Sequence, residues 1–366
     1  MELLKSSIRG EKLDAVFISS VSNISYLTDF TNFSKDEREA YLLIGEDFAY
    51  IITDGRYIEA VRKQVKNFTI FERGGGKNTE DLFKKLNSKI KSLGIEEDNL
   101  TVAEYKIVKK HFKKLKHFNV EVLRSLKNDN EIEKIKKACF IGDKAFKYIL
   151  TRIKTGVTEK KIAFEIEKFV KSQGADLSFP SIVAFGKNSS IPHHQTGEKG
   201  LATNDKLVLL DFGVKWENYC SDMTRTIFFG QPTKSQKEIY QVVYEAQQKA
   251  VDFLNSKIKL GEKVTGAQVD KTAREYIKSK GFPDIPHSLG HGIGLEVHEQ
   301  PYLSPKSKEV LKEGMVFSIE PGIYLPDFGS PRFGGEAGGV RIEDLFVVEK
   351  MGLKQITTSS KEIIKI

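Results

Sequence analysis

Cysteine and long apolar segments are both scarce in this sequence. Cys139 and Cys220 are the only cysteines among 366 residues, which excludes the disulfide framework of a small secreted domain and favours a reducing cytoplasm. The longest apolar runs, such as the LVLL that precedes Asp211, are far shorter than the roughly 18 residues that a membrane-spanning helix needs. The N-terminal stretch MELLKSSIRGEKLDAVF has no uninterrupted apolar segment of the kind found in secretion signals. We therefore predict a cytoplasmic protein without a membrane partner.

The excess of charge of one sign is also small. The chain has 58 Lys and Arg against 50 Asp and Glu, a formal net charge of +8, and its lysines often adjoin glutamates, as in EIEKIKKA. The densest basic run, KIVKKHFKKLKHF at 106–118, is typical of the solvated face of a helix and has no accompanying aromatic recognition motif. The sequence therefore predicts no nucleic-acid partner.

The length of the chain favours two domains. We place the boundary in RSLKNDN and predict domains over 1–125 and 126–366. The first alternates helix and strand patterns, which predicts a small α/β domain; its expected strands include DAVFISS, FTIFER, LTVAEY and VEVLR. The second combines amphipathic helices with strands linked by hairpins, which predicts an α+β domain with an antiparallel sheet.

One stretch of the second domain, LLDFGVKWENYCSDMTRTIFF, puts an aspartate in each of two apolar strands. Asp211 and Asp222 are equally distant from a turn at WENY, so a symmetric hairpin would place them directly opposite each other, with Cβ atoms roughly 4.5–5.5 Å apart. Like charges so placed repel, and burying them without compensation costs several kcal/mol each. A bound cation would remove this cost.

Other charged residues in the second domain have equally unusual surroundings. Glu320 ends the apolar strand MVFSIE, Glu343 follows Arg341 in GGVRIEDLFVVE, and His291 lies between glycines in HSLGHGIGLEVHEQP. Taken singly, each would more often be an ordinary surface or core residue. Together, four carboxylates and one imidazole form a mostly hard ligand set, suited to Mn²⁺ and accessible to Co²⁺, Fe²⁺ or Zn²⁺. Four negative charges suffice for two divalent ions, and two-metal sites activate water for hydrolysis.

Five runs resemble, in the same order, the motifs of the pita-bread metallopeptidases, which include methionine aminopeptidase, Xaa-Pro aminopeptidase and prolidase. They are NSSIPHH, LDFGVKWENYCSDMTRT, HSLGHGIGLEVHEQP, SIEPGIY and GVRIED. In the first domain, NISYLTDF and YIITDGRYIEAV resemble the creatinase/prolidase-type N-terminal domain, which favours the Xaa-Pro branch. The resemblance therefore implies an α/β N-terminal domain of creatinase/prolidase type and an α+β pita-bread catalytic domain.

The resemblance also implies a dinuclear metal site and a substrate. Its metal ligands would be Asp211, Asp222, His291, Glu320 and Glu343. Because all five are present, a metallopeptidase is favoured over the alternative, a non-enzymatic pita-bread peptide-binding module. The expected substrate is a small peptide with proline at its second position, and the expected assembly is a homodimer. The choice between an Xaa-Pro dipeptidase and an Xaa-Pro aminopeptidase stays open.

Catalytic roles follow from the same resemblance. Glu320 would carry a proton from the attacking water to the leaving nitrogen. His193 and His298 would donate hydrogen bonds to the developing oxyanion. His287 would line the substrate pocket, and Arg341 would orient a metal ligand or bind a substrate carboxylate.

The motif around His193 departs from the family pattern. The family usually has PH followed by Gly, Tyr or Ala, whereas this chain has two adjacent histidines, His193 and His194. Counting forward from Asn188 selects His193 as the catalytic histidine, and counting back from Asp211 selects His194. We prefer His193 and assign His194 to the substrate-binding residues.

Overall fold

A mixed six-stranded sheet forms the centre of the first of two units, Met1–Arg124 and Ser125–Ile366, into which the chain divides. The structure is a computed structural model that describes residues 1–326 and 338–366. The sheet has the order β4-β3-β2-β1-β5-β6, with strands β1 (Ala15–Ile18), β2 (Ala40–Gly45), β3 (Ala49–Asp54), β4 (Thr69–Arg73), β5 (Ser92–Ile95) and β6 (Lys114–His117). The helices along this part of the chain are α1 (Glu2–Gly10), α2 (Val21–Thr28), α3 (Ile58–Gln64), α4 (Thr79–Leu86), α5 (Val102–His111) and α6 (Glu121–Ser125).

The two faces of this sheet are covered by different helices. Successive side chains of a strand point to opposite faces, so Val16 of β1 joins an apolar cluster with α1, α2 and α3, whereas Phe17 joins one with α4 and α5. Layers of helix on both faces of a mixed sheet make this unit an α/β domain.

The strands predicted at LTVAEY and VEVLR are wrong. Most of LTVAEY lies in the first turns of α5, and VEVLR lies largely in α6. Thr101 accepts a hydrogen bond from the backbone N–H of Glu104, whose side chain accepts one from the N–H of Thr101. This capping box starts a helix and outweighs the strand preference of the valine and tyrosine beside it.

The second unit has two layers of helix on antiparallel sheets. Its helices are α7 (Asp129–Leu150), α8 (Glu159–Ser172), α9 (Lys234–Lys259) and α10 (Gly266–Ser279), with a short 3-10 helix over Gly186–Ser190. Its strands are β7 (Asp176–Leu177), β8 (Ile182–Phe185), β9 (Leu207–Phe212), β10 (Val214–Trp216), β11 (Tyr219–Cys220), β12 (Met223–Phe228), β13 (Gly290–Gly292), β14 (Glu299–Leu303), β15 (Val316–Ile319), β16 (Gly322–Leu325), β17 (Gly338–Arg341), β18 (Asp344–Glu349) and β19 (Gly352–Gln355). They form sheets of order β12-β9-β8, β11-β10-β7, β14-β13-β15-β18-β19 and β16-β17. These strands pair antiparallel, as predicted.

The helix layers fix the direction in which the aspartate of β9 points. Leu210 and Phe212 of β9 pack into the apolar cluster formed with α7 and α8. Asp211 lies between them, so its side chain points away from those helices. On the other side of the unit, α9 and α10 pack with Phe317 of β15 and Phe346 of β18.

The hairpin register differs from the symmetric one that the sequence predicted. Asp211 pairs with Thr224, not with Asp222. The turn consists of Glu217 and Asn218, with φ of 44° and 71°, as a two-residue type I′ turn requires. This turn lies closer to Cys220 than the predicted centre does, so Asp222 is the diagonal neighbour of Asp211.

Of the helices in the described ranges, none combines the length and the apolarity that crossing a bilayer would take.

Candidate active site

Carboxylates and one imidazole from five separate segments meet in the second unit. Donor atoms of Asp211, Asp222 and Glu343 all lie within 4.8 Å of one another, and the same holds for His291, Glu320 and Glu343. The Nε2 atom of His291 lies 3.4 Å from Glu320 Oε1, 3.7 Å from Asp222 Oδ2 and 3.9 Å from Glu343 Oε1. The structure thus brings together all five residues that the resemblance named as metal ligands.

Glycines allow the strand of His291 to lie this close to its neighbours. A Cβ atom on Gly290 would lie 1.9 Å from the carbonyl oxygen of Ser318, and one on Gly292 would lie 2.2 Å from that of Gln300. Side chains at these positions would push β13 away from β14 and β15. The alternating glycines of HSLGHG therefore serve close backbone packing around His291.

The carboxylates repel one another in the absence of a cation. Burial raises the pKa of Asp222 well above its usual range, and the charges of Glu343 and Asp211 raise it further. Burial, and after it the charge of Glu343, also raises the pKa of Glu320 well above its usual range. Burial and then Asp211 raise the pKa of Glu343 to about 8. The cluster therefore carries more negative charge than its surroundings stabilise.

The donor atoms fit divalent cations. Three buried carboxylate oxygens, Asp211 Oδ1, Asp222 Oδ1 and Glu343 Oε1, have no hydrogen-bond partner among the described residues, and each such acceptor costs about 1–3 kcal/mol or more. Burial lowers the pKa of His291 to about 3, so its ring is neutral at pH 7. Its Nδ1 lies 3.2 Å from the carbonyl oxygen of Gly292; donation there leaves Nε2 as the ligand atom.

Three further histidines lie beside the cluster. His298 packs its ring edge-on against His291, with centroids 4.2 Å apart. Burial lowers the pKa of His287 to about 4, and the charges of Arg341 and Arg274, followed by that of His193, lower it further. Partial burial and then His193 lower the pKa of His298 as well. His193 therefore interacts electrostatically with both of the other histidines.

His194 turns to a different part of the unit. Its Nε2 lies 2.9 Å from Glu159 Oε2 and 3.3 Å from the side-chain nitrogen of Asn188. Since His193 interacts with the site histidines and His194 is held by Glu159, this placement supports the count from Asn188.

Comparison with known proteins identifies the family. Residues 133–350 match the model of metallopeptidase family M24, and residues 1–125 match that of the creatinase/prolidase N-terminal domain. The first match alone spans more than half of the chain. The chain belongs to metallopeptidase family M24. The predicted fold class, a creatinase/prolidase-type N-terminal domain followed by a pita-bread catalytic domain, is confirmed, and so is the prediction of a metallopeptidase.

Several relatives of this M24 peptidase match along almost their whole length. An Xaa-Pro dipeptidase of Pyrococcus horikoshii is 37% identical over 359 residues, which cover 96% of this chain and 95% of the relative. The solved structure of an Xaa-Pro dipeptidase from Bacillus anthracis has a TM-score of 0.89 and 38% identity, and the match covers 100% of this chain and 98% of that one. An X-Pro aminopeptidase from Thermotoga maritima has a TM-score of 0.80 and 34% identity, with 97% and 98% covered.

Arg341 of the M24 peptidase contacts the carboxylate cluster both directly and through a threonine. Its Nη2 lies 2.5 Å from Asp211 Oδ2. Its Nε donates to Thr224 Oγ1 at 3.0 Å, and that hydroxyl donates to Glu343 Oε2 at 2.7 Å. Of the two predicted roles of Arg341, these contacts support the orientation of metal ligands. Only 4% of the Arg341 side chain is exposed, so a substrate carboxylate has little access to it.

Sequence reasoning missed two residues that shape this site. Thr224 connects Arg341 to Glu343, and a hydroxyl within TRT gives no pattern that would mark it. Tyr324 forms a hydrogen bond of 2.9 Å with His287 Nε2 and accepts one of 2.9 Å from Arg341 Nη1. These contacts join strands that are distant in sequence, so no local signal predicts them.

The metal-free protein is expected to lose stability as the pH rises from about 6.5 to 8. A carboxyl group whose pKa is raised by folding, as for Glu343 at about 8, stabilises the folded chain below its unfolded pKa, and this contribution is lost as the pH rises through the folded value. His287 and His291 have lowered pKa values, so their contribution is complete above about pH 6.5. When the protein is denatured in the presence of a chelator, the free energy of unfolding should fall by up to about 1.4 kcal/mol per pH unit for each proton released.

Glu343→Gln is the matched control for this pH dependence. Because an amide does not ionise, the variant should show a flatter profile over the same range. Saturating Mn²⁺ should reverse the slope in the wild-type protein, since the metal competes with protons for the carboxylates. A metal-free wild-type protein that becomes more stable between these pH values would contradict the assignment of repelling carboxylates.

Proposed function

We propose that this M24 peptidase hydrolyses the Xaa-Pro bond of dipeptides with two divalent metal ions. The observation that carries the proposal is the buried carboxylate cluster, whose unpaired oxygens and raised pKa values indicate a missing positive charge. The substrate class is supported by the relatives named Xaa-Pro dipeptidase, which match this chain over almost its entire length.

The metal ions would be held by the five residues of the cluster. These are Asp211, Asp222, His291, Glu320 and Glu343. Four carboxylates and one neutral imidazole favour Mn²⁺, with Co²⁺, Fe²⁺ or Zn²⁺ as alternatives. When bound, such ions lower the pKa of a water molecule and polarise the carbonyl under attack.

The chain's own residues would handle the protons and the developing charge. Glu320 has the most exposed side chain of the four carboxylates, at 16% against 11% for Asp211, 6% for Asp222 and 2% for Glu343. This exposure supports the proposal that Glu320 takes a proton from the attacking water and passes it to the leaving imino nitrogen. His193 and His298 would donate hydrogen bonds to the oxyanion.

Selectivity for proline needs a surface that accepts a rigid ring. An Xaa-Pro bond is a tertiary amide without an N–H, and its ring fixes φ. The rings of His287 and Tyr324 lie edge to face with centroids 5.6 Å apart, and their mutual hydrogen bond holds both rigid. We propose that they form the wall against which the proline ring packs, and that His194, held by Glu159, makes no direct substrate contact.

Ala-Pro is expected to be hydrolysed at least about tenfold more efficiently than Ala-Ala, a difference of about 1.4 kcal/mol in transition-state binding. The measurement is kcat/KM for the two dipeptides at one Mn²⁺ concentration. Equal values would leave a two-metal peptidase but remove proline from its description.

An Xaa-Pro aminopeptidase is the second candidate, and the Thermotoga maritima structure favours it. Ala-Pro-Ala, assayed beside Ala-Pro, separates the two, since a dipeptidase should prefer the dipeptide by its free carboxylate. Binding of both peptides without hydrolysis at any metal loading would instead support the non-enzymatic binding module.

Two further parts of the proposal rest on the sequence alone. The resemblance implies a homodimer, and the scarcity of cysteine favours a cytoplasmic location. Both stay predictions.

A further inference from the structure

A fully buried glutamate outside the metal cluster holds the loop that carries His193. Glu159 is the first residue of α8 and is 0% exposed. Its Oε1 accepts from the backbone N–H of Phe185 at 2.9 Å and from Asn188 Nδ2 at 2.7 Å. Its Oε2 lies 2.9 Å from His194 Nε2 and accepts from the backbone N–H of Gly197 at 3.2 Å.

These contacts use the full capacity of the carboxylate. An ionised carboxylate has about four acceptor sites, and Glu159 has four partners. Since it only accepts, the Nε2 of His194 must be the donor. A position in the first turn of a helix also stabilises a negative charge. One side chain thereby connects the start, middle and end of the segment 185–197, the His193 loop.

The opposite side of the His193 loop is held by β17. The backbone N–H of Gly339 donates to Ser189 Oγ at 2.8 Å, and a Cβ atom on Gly339 would lie 2.1 Å from the carbonyl oxygen of Ser189. Arg341 Nη1 donates to the carbonyl oxygen of Pro192 at 3.3 Å. The loop is therefore clamped between α8 and β17, with His193 next to the last of these contacts.

We propose that Glu159 and His194 form a positioning pair that fixes the His193 loop and so places the His193 ring at the substrate. The second histidine of the Pro-His-His motif would thus act through the first one and touch no substrate itself. This inference rests on the proposed role of His193 in hydrolysis. A misplacement of about 1 Å is enough to cost up to 10²-fold in rate, so the pair matters even though it lies outside the site.

A double-mutant cycle tests the pair. His194→Ala is expected to lower kcat by about tenfold with little change in KM, because a contact made in the transition state is weakened. In a His193→Ala background the same change should cost less than about twofold, since a positioning residue has nothing left to position. His194→Gln can place an N–H donor near the position of Nε2 and should recover most of the loss.

Further measurements separate the possible outcomes. Metal content should stay unchanged in His194→Ala, while amide hydrogen exchange over 186–197 should increase. Equal losses in both backgrounds would mean a general structural role and would overturn the proposal. A fully active His194→Ala protein beside an impaired His193→Ala protein would overturn the pair alone.

A fully active His193→Ala protein would overturn both the pair and the proposed oxyanion role. The cycle is run with Ala-Pro or, if that peptide is not cleaved, with the best dipeptide of a panel. The test of the positioning pair therefore does not depend on whether the proposed Xaa-Pro substrate class is correct. If His194→Ala proves unstable, Glu159→Gln provides a second variant, in which an amide nitrogen faces the loop donors and activity should again fall only when His193 is present.

Discussion

The Asp222→Asn protein is expected to lose at least one metal ion per chain and nearly all peptidase activity. Asp222 has 6% of its side chain exposed, and its Oδ1 has no hydrogen-bond partner among the described residues. One of its carboxylate oxygens lies within 4.8 Å of a carboxylate oxygen of Asp211 and of one of Glu343. The amide keeps the shape of the side chain but removes a negative charge and one ligand oxygen. The loss should exceed the roughly 10–100-fold that follows from removing an outer partner of a metal ligand.

Metal analysis after loading with Mn²⁺, together with kcat/KM for Ala-Pro, measures this effect. Asp252→Asn is the matched control, since it makes the same chemical change at an exposed position of α9. The metal-free Asp222→Asn protein should also be more stable than the metal-free wild-type protein above about pH 6.5, because one of the repelling charges is gone. Two bound ions and unchanged turnover in Asp222→Asn would exclude the two-metal assignment.

The His193→Ala protein is expected to lose about 10²–10³-fold in kcat while keeping its metal ions, as is typical of removing one oxyanion donor. His193 lies close enough to influence His287 and His298, but its nitrogens are not part of the ligand clusters. An effect on the transition state without an effect on metal binding is therefore predicted.

The same kinetic and metal measurements check this second prediction. His117→Ala is the control, because His117 lies in the first unit and has 46% of its side chain exposed. A parallel loss of metal would make His193 a ligand rather than a donor. An unchanged kcat would remove it from the mechanism.

The fold class followed from the sequence because the pattern of apolar residues is local. The short apolar run of β1 and the long amphipathic pattern of α7 depend only on neighbouring residues, and both elements are present. The error at LTVAEY has a local cause too, since a capping box favours α5 over the strand preference of its residues. The register of the aspartate hairpin was wrong because it depends on the turn conformation of Glu217 and Asn218.

The sequence by itself determined the class of this protein, a metallopeptidase. Carboxylates within apolar strands are costly unless a cation compensates them, so their presence in the chain already predicted a metal centre, and the five-motif resemblance supplied the residues that we propose as its ligands. The cost of these carboxylates depends only on residue type and on the burial that the strand pattern predicts, so the sequence alone reveals it.

The tertiary structure alone separates the surroundings of two adjacent histidines, and our proposal for His193 rests on that difference. His193 and His194 have the same chemistry and nearly the same position in the sequence, and the two ways of counting disagreed. Their surroundings differ because Glu159 contacts His194 and Arg341 donates to the backbone carbonyl of Pro192, beside His193. Glu159 and Arg341 both lie far from the two histidines in the sequence. The packing of α8 and β17 around the loop brings them next to it. Local sequence patterns carry no information about such contacts, because they form only when the sheets and helices have assembled.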